Sequence, residues 1–137
     1  MKISLLRNSL VALVATVASY GQNGTTVMVK VPFSFYFGTD ALPAGQYTVE
    51  QQLGMVTIVS ADNKKTSILR TNTNAVQSQT VPQSDCLVFR RYGSQYFLSQ
   101  VWRVGESRGR QLPTTDRERE LSKGSPNPDI QTIAATR

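Results

Sequence analysis

Cys86-Leu87-Val88-Phe89-Arg90-Arg91-Tyr92-Gly93-Ser94-Gln95-Tyr96-Phe97-Leu98-Ser99-Gln100-Val101-Trp102 is the stretch that decides the fold. Two arms rich in aromatic and β-branched residues flank a short segment holding Gly93, which reads as a β-hairpin turning at Tyr92-Gly93-Ser94-Gln95. With Leu87 and Phe89 facing the core, period-two alternation turns Arg90 outward. Arg91 then shares the inward parity, which places it near the end of its strand.

Upstream, Val27, Val29 and Val31 alternate with Met28 and Lys30, and Phe33, Phe35 and Phe37 resume the period after Pro32. Proline donates nothing to a ladder, so Pro32 marks an edge position, a bulge or a break between two short strands. Gly38-Thr39-Asp40-Ala41-Leu42-Pro43-Ala44-Gly45 reads as a connecting turn, with φ preset at Pro43 and positive φ open to Gly45. Residues 46–52 and 55–60 form a second hairpin around Leu53-Gly54. Ala61-Asp62-Asn63-Lys64 has the composition of a tight turn, after which residues 66–71 can pair back. The polar run 71–85 is the longest internal loop, with room for a short strand over 75–79.

After Trp102 the alternation dissolves through Gly105 and Gly109. Thr115 followed by Glu118 resembles a capping box and predicts a charged helix of about two turns over 114–123. Its one sizeable apolar side chain is Leu121, so little apolar surface would hold it down. Gly124-Ser125-Pro126-Asn127-Pro128 ends it.

The division that follows is a signal peptide over 1–20, a single β domain over 21–123 and a disordered tail over 124–137. The expected fold is all-β, a six-to-eight-stranded antiparallel sandwich or partly open barrel with a short C-terminal helix. The leader assignment rests on Lys2 and Arg7, the nine-residue apolar run from Leu10 to Ala18, and the small residues after it. Cleavage is expected before Tyr20, or alternatively after Gly21. A membrane anchor would need about 20 apolar residues. The processed protein is therefore expected to be exported, periplasmic or extracellular, and not membrane-spanning.

The chain carries 15 Lys and Arg against 9 Asp and Glu, a formal charge of +6. Without Lys2 and Arg7 the balance is 13 against 9, or +4, and the basic residues do not form a dense stripe. Cys86 is the sole cysteine, so no internal disulfide can form. No histidine occurs, which removes the commonest general base and metal ligand.

The motifs Gly38-x-x-x-Leu42-Pro43-Ala44-Gly45-x-Tyr47-x-Val49, Phe89-x-x-Tyr92-Gly93-x-x-Tyr96-Phe97-Leu98-x-x-Val101-Trp102 and Gly109-Arg110-x-Leu112-Pro113 with Glu118-Arg119-Glu120 resemble a family of small signal-peptide-bearing bacterial proteins with no assigned activity. The resemblance covers about 27–123. It implies export and a compact β fold, and no catalytic residue.

Catalysis finds little support in the residues. Asp40, Asp62 and Asp85 fall in expected turns, and Asp116, Glu118 and Glu120 read as a solvated helix face. Cys86 reads as a small buried side chain and Lys64-Lys65 as solvated charge. Neither a metal site nor a cofactor is expected.

Binding is the stronger class. Arg90, Arg91, Tyr92, Tyr96, Trp102 and Arg103, with Phe97, interleave cations and rings in a way that can stack on sugars and neutralise anions. The leading expectation is a non-catalytic binding or envelope-associated interaction module with an envelope or extracellular partner; nucleic acid is disfavoured by export. Three alternatives stand beside it. One is an anion- or carbohydrate-binding module using Arg90, Arg91, Arg103, Arg108 and Arg110. Another is a self-associating structural protein with an exposed edge over 25–31, and the last an enzyme of unrecognised design. The Leu42-Pro43-Ala44-Gly45 turn and residues 105–113 could frame a ligand mouth.

Overall fold

Alternation along the chain becomes two sheets whose apolar faces meet. The computed structural model describes residues 25–60 and 68–136; the leader, the Ala61-Asp62-Asn63-Lys64 turn with Lys65, and the first two residues of the 66–71 stretch lie outside them. The strands are β1 (Thr25–Val31), β2 (Phe35–Phe37), β3 (Asp40–Leu42), β4 (Gly45–Gln52), β5 (Met55–Ser60), β6 (Ile68–Asn72), β7 (Asn74–Gln77), β8 (Cys86–Tyr92), β9 (Gln95–Trp102), β10 (Arg108–Gln111) and β11 (Asp129–Ala134), with one helix, α1 (Asp116–Gly124), before β11. One sheet runs β1-β4-β5-β6; the other runs β11-β8-β9-β10-β7 and carries the β2–β3 hairpin through a parallel contact of Tyr36 with Phe97. This is an all-β sandwich with a short helix near its C-terminal end.

Register explains the core. Val27 and Val29 lie opposite Val49 and Tyr47, and Val49 opposite Ile58, so one face of the first sheet is continuously apolar. Phe35, Phe37, Leu87, Phe89, Leu98 and Val101 supply the facing layer, and all are buried. Phe35 meets Tyr47 and Phe89 edge-on, both at 5.3 Å, which ties the layers through ring geometry as well as area.

Turn chemistry follows the glycines. Gly93 has φ +64° and Gly38 φ +62°, each at the first central position of a two-residue hairpin, where a type II′ turn places glycine. Gly45 is instead an ordinary strand residue paired with Val31. The Gly38 to Gly45 connection therefore contains β3, a short strand that the expected single turn did not include. Pro32 stands at a break, where the chain leaves β1 and crosses to the other sheet. Ser99 lies where the β8–β9 register shifts, and its carbonyl accepts from Leu112 N–H at 2.8 Å.

Residues 124–137, expected to be disordered, instead contribute β11, which pairs with β8 from Asp129↔Arg91 to Ala134↔Cys86. Its inward Ile133 packs against the core. Beyond it, Thr136 N–H donates to Met28 O at 2.8 Å, so the β1 edge that might have associated with another copy is bridged at Met28 by the chain's own end.

The helix begins as expected, with Thr115 Oγ1 accepting from Glu118 N–H at 3.2 Å. The Glu118 carboxylate does not take the solvated position expected of it: the residue is 4% exposed. Its Oε2 accepts from Arg90 Nε at 2.7 Å and from Tyr92 hydroxyl at 2.9 Å. A helix with hardly any apolar surface is thus held by a charge-assisted clamp on the outer face of β8. Burying a charge is costly unless it is paired and hydrogen-bonded, and here both conditions hold. Arg117 completes the contact, with its guanidinium 5.0 Å from the centroid of the Tyr36 ring, which stacks on Phe97.

Two predictions follow from the clamp. Replacing Glu118 with alanine strands Arg90, whose side chain is 23% exposed, and should cost about 3 kcal/mol in denaturant unfolding; a loss below about 0.5 kcal/mol, as for an ordinary surface site, would contradict the clamp. Burial, and then the hydrogen bond to Glu118, push the Tyr92 hydroxyl above its ordinary value. That contribution is complete below about pH 10 and disappears as pH climbs through the higher folded value, because the unfolded chain ionises first. Thermal melts should therefore fall less steeply above pH 10 in Tyr92→Phe than in the parent, and parallel curves would contradict the assignment.

Candidate functional site

The hairpin tip between β4 and β5 overhangs the start of β10. Between them lies a cleft of about 360 Å³, lined by the tip residues Gln51 to Met55 and by Arg103, Glu106 and Arg110. Four hydrogen bonds pin its walls. Arg110 donates from Nε to Thr73 Oγ1 at 2.8 Å and from Nη2 to Thr73 O at 2.6 Å. Thr73 in turn donates from N–H and hydroxyl to Gly54 O, at 3.0 and 2.8 Å. Since Thr73 is the single residue between β6 and β7, this relay fixes the tip of one sheet to the other sheet's edge.

Arg103 is held differently. Its Nη1 donates to Glu106 Oε2 at 3.2 Å, across the turn in which Gly105 takes φ +77°. Its Nε is buried and has no acceptor, and the same is true of Gln51 Nε2. Both residues line the cleft. A buried donor left unsatisfied costs about 1–3 kcal/mol; of the three such side-chain donors among the described residues two belong to cleft-lining residues, and the third, Arg91 Nε, lies on β8 outside the cleft.

The tip itself is strained. Leu53 and Gly54 have φ +54° and +77°, the type I′ pattern that favours Asn-Gly, yet the first position holds a leucine that is 93% exposed. A left-handed conformation costs a side-chain-bearing residue about 1–2 kcal/mol. Leu53 recovers nothing by burial.

The hairpin residues singled out in the sequence are dispersed. Arg90 and Tyr92 hold Glu118; Arg91 pairs with Asp129 of β11. Tyr96 stacks on Phe33 with centroids 3.7 Å apart. Trp102 is buried and donates from Nε1 to Gln100 Oε1 at 2.8 Å. A Cβ at Gly109 would stand 2.7 Å from the Trp102 ring, so glycine is what lets β10 pass so close to the indole. Arg103 alone of the six reaches the cleft, joined by Arg110 from the wider arginine set. Of the two segments expected to frame a mouth, residues 105–113 contribute Glu106 and Arg110, while Leu42-Pro43-Ala44-Gly45 is absent from the lining. Gln51, Gln52, Leu53, Gly54 and Met55 were not foreseen as site residues. The one available signal was Leu53, a bulky apolar side chain where a two-residue turn calls for Asn, Asp or Gly.

Chemically the cleft offers guanidinium and amide donors with one carboxylate. Among the described residues no group of three His, Cys, Asp or Glu could hold a metal. Burial, followed by the neighbouring Asp85 charge, raises the Cys86 thiol above its ordinary value, which makes it a poor nucleophile at neutral pH. No helix among the described residues is long and apolar enough to cross a membrane. No protein-family model, curated protein or solved structure matches the chain, so no enzyme family is identified.

The strain at the tip is testable without a ligand. Leu53→Asn should raise unfolding stability by about 1 kcal/mol by supplying the residue that a type I′ turn prefers; a loss of stability would show that Leu53 makes contacts the fold needs.

Proposed function

We propose that this protein is an exported, non-catalytic binding module whose site is the cleft beneath the β4–β5 tip, and that it takes a small ligand bearing an anionic group. The observation that carries this reading is the pair of buried donors without acceptors, Gln51 Nε2 and Arg103 Nε, in a wall that also contains the Arg110 guanidinium. A carboxylate is acceptor-only and its two oxygens can each take a donor from a different side chain, which suits one guanidinium nitrogen and one amide nitrogen left without acceptors. The leader at residues 1–20 supports export, and the dense self-pairing of the fold without a disulfide is compatible with it.

Support for a non-catalytic role is of the same physical kind. The buried carboxylate, Glu118, is committed to Arg90 and Tyr92, and it lines neither the main cleft nor the 230 Å³ cleft between the β2–β3 turn and β6. Acid–base chemistry of the acyl-transfer kind requires a base beside a nucleophile; the main cleft holds the Glu106 carboxylate, paired through Oε2 with Arg103, but no serine, threonine, cysteine or lysine lines it.

The test is an NMR titration of the protein with sodium acetate against equal sodium chloride. Acetate should shift the amides of residues 51–55, 103 and 110 selectively, acetamide should not, and Arg103→Gln should weaken the effect at least fivefold. Shifts scattered over the surface, or equal shifts with acetamide, would overturn the proposal.

A further inference from the structure

Resting on that cleft as the binding site, we infer that its ligand is an amphipathic carboxylate, with the charged head between Arg103, Arg110 and Gln51 and a short apolar chain lying over Leu53 and Met55. The two apolar residues belong to the same lining as the two arginines. They also line a second cleft of about 210 Å³ on the other side of the tip, with Thr57 and Arg70. Leu53 and Met55 therefore form a ridge between two hollows, and a chain leaving the first hollow has apolar surface to follow.

Leu53 gives the inference its direction. Its side chain is 93% exposed, and its backbone holds a positive φ of 54° that asparagine or glycine would hold with less strain. A leucine kept in an unfavourable conformation and in water has no folding reason to be there. Strained backbone of this kind concentrates at ligand-contacting positions. A purely ionic ligand would use Arg103 and Arg110 and leave Leu53 unexplained; a purely apolar one would leave Gln51 Nε2 and Arg103 Nε without acceptors.

Leu53 is almost fully exposed, so a chain lying over it is covered on one side. Full burial of a methylene is worth about 0.8 kcal/mol, roughly fourfold in affinity, and one-sided cover about twofold. The linear series acetate, butanoate, hexanoate and octanoate should thus tighten progressively, reaching about 50-fold between the first and last, as followed by the same amide shifts. Leu53→Asn, expected to fold at least as well as the parent, should flatten the series to below fivefold between acetate and octanoate. Arg103→Gln should weaken every member alike. N-acetyl-leucine, whose amide stands beside its carboxylate as at a peptide C-terminus, tests the source of the ligand: binding tighter than hexanoate assigns a peptide end, and weaker binding assigns a free acid. If octanoate binds no better than acetate, this inference fails while the anion site stands; if acetate also fails to bind at the cleft, both fail. A series that steepens equally in Leu53→Asn, or octyl glucoside binding as tightly as octanoate, would likewise overturn it.

Discussion

The structure depends on one dry interior shared by two sheets. Val29, Tyr47, Val49 and Ile58 form one wall, and Phe35, Leu87, Phe89 and Leu98 the other, all buried. No disulfide supports it, since Cys86 is alone. Burial of apolar area is then the main term opposing the chain entropy, and small domains retain only a few kcal/mol after that balance. The chain crosses between the sheets at Pro32, between Leu42 and Gly45, and at Thr73, so the first half of the sequence supplies strands to both sheets. Neither sheet could bury its face alone.

Polar chemistry finishes what apolar burial begins. Helix α1 has too little apolar surface to dock by area, and Glu118 docks it through Arg90 and Tyr92. The β4–β5 tip is fixed by the Gly54–Thr73–Arg110 relay and not by packing. In both places an arginine that could have been a free surface cation is used inside the protein. The difference lies in what remains: the Glu118 clamp leaves its carboxylate satisfied, whereas the cleft retains Gln51 and Arg103 donors with nothing to accept them. That asymmetry is the physical reason for placing the site at the tip.

Much of the fold was legible because period-two alternation is a local signal. The β8–β9 hairpin, the Leu53-Gly54 turn and the Thr115 cap all stand where their residues point. The failures have a common cause. β11 reads as a polar tail because Asp129-Ile130-Gln131-Thr132 has weak strand character of its own; it becomes a strand only when the β8 edge is available to pair. Glu118 looks like one more surface acid on a charged helix, since nothing in a sequence announces that Arg90, 28 positions away, will meet it. The arginine and aromatic residues of the hairpin look like one cluster, but alternation sends them to opposite faces, where Tyr96 stacks with Phe33 and Arg91 pairs with Asp129. The cleft was the least legible element, because it joins residues some 50 positions apart and its lining is ordinary glutamine, leucine and arginine. Only the misfit of Leu53 with its turn was visible in advance.

A single interior requires the sheets to open together. Native-state hydrogen exchange tests this most directly, by comparing the free energies of opening for the paired amides of β4 and β5 with those of β8 and β9 as denaturant is added. The account predicts that both sets converge on one global unfolding energy. Two separate plateaus, with one sheet exchanging while the other stays protected, would contradict it.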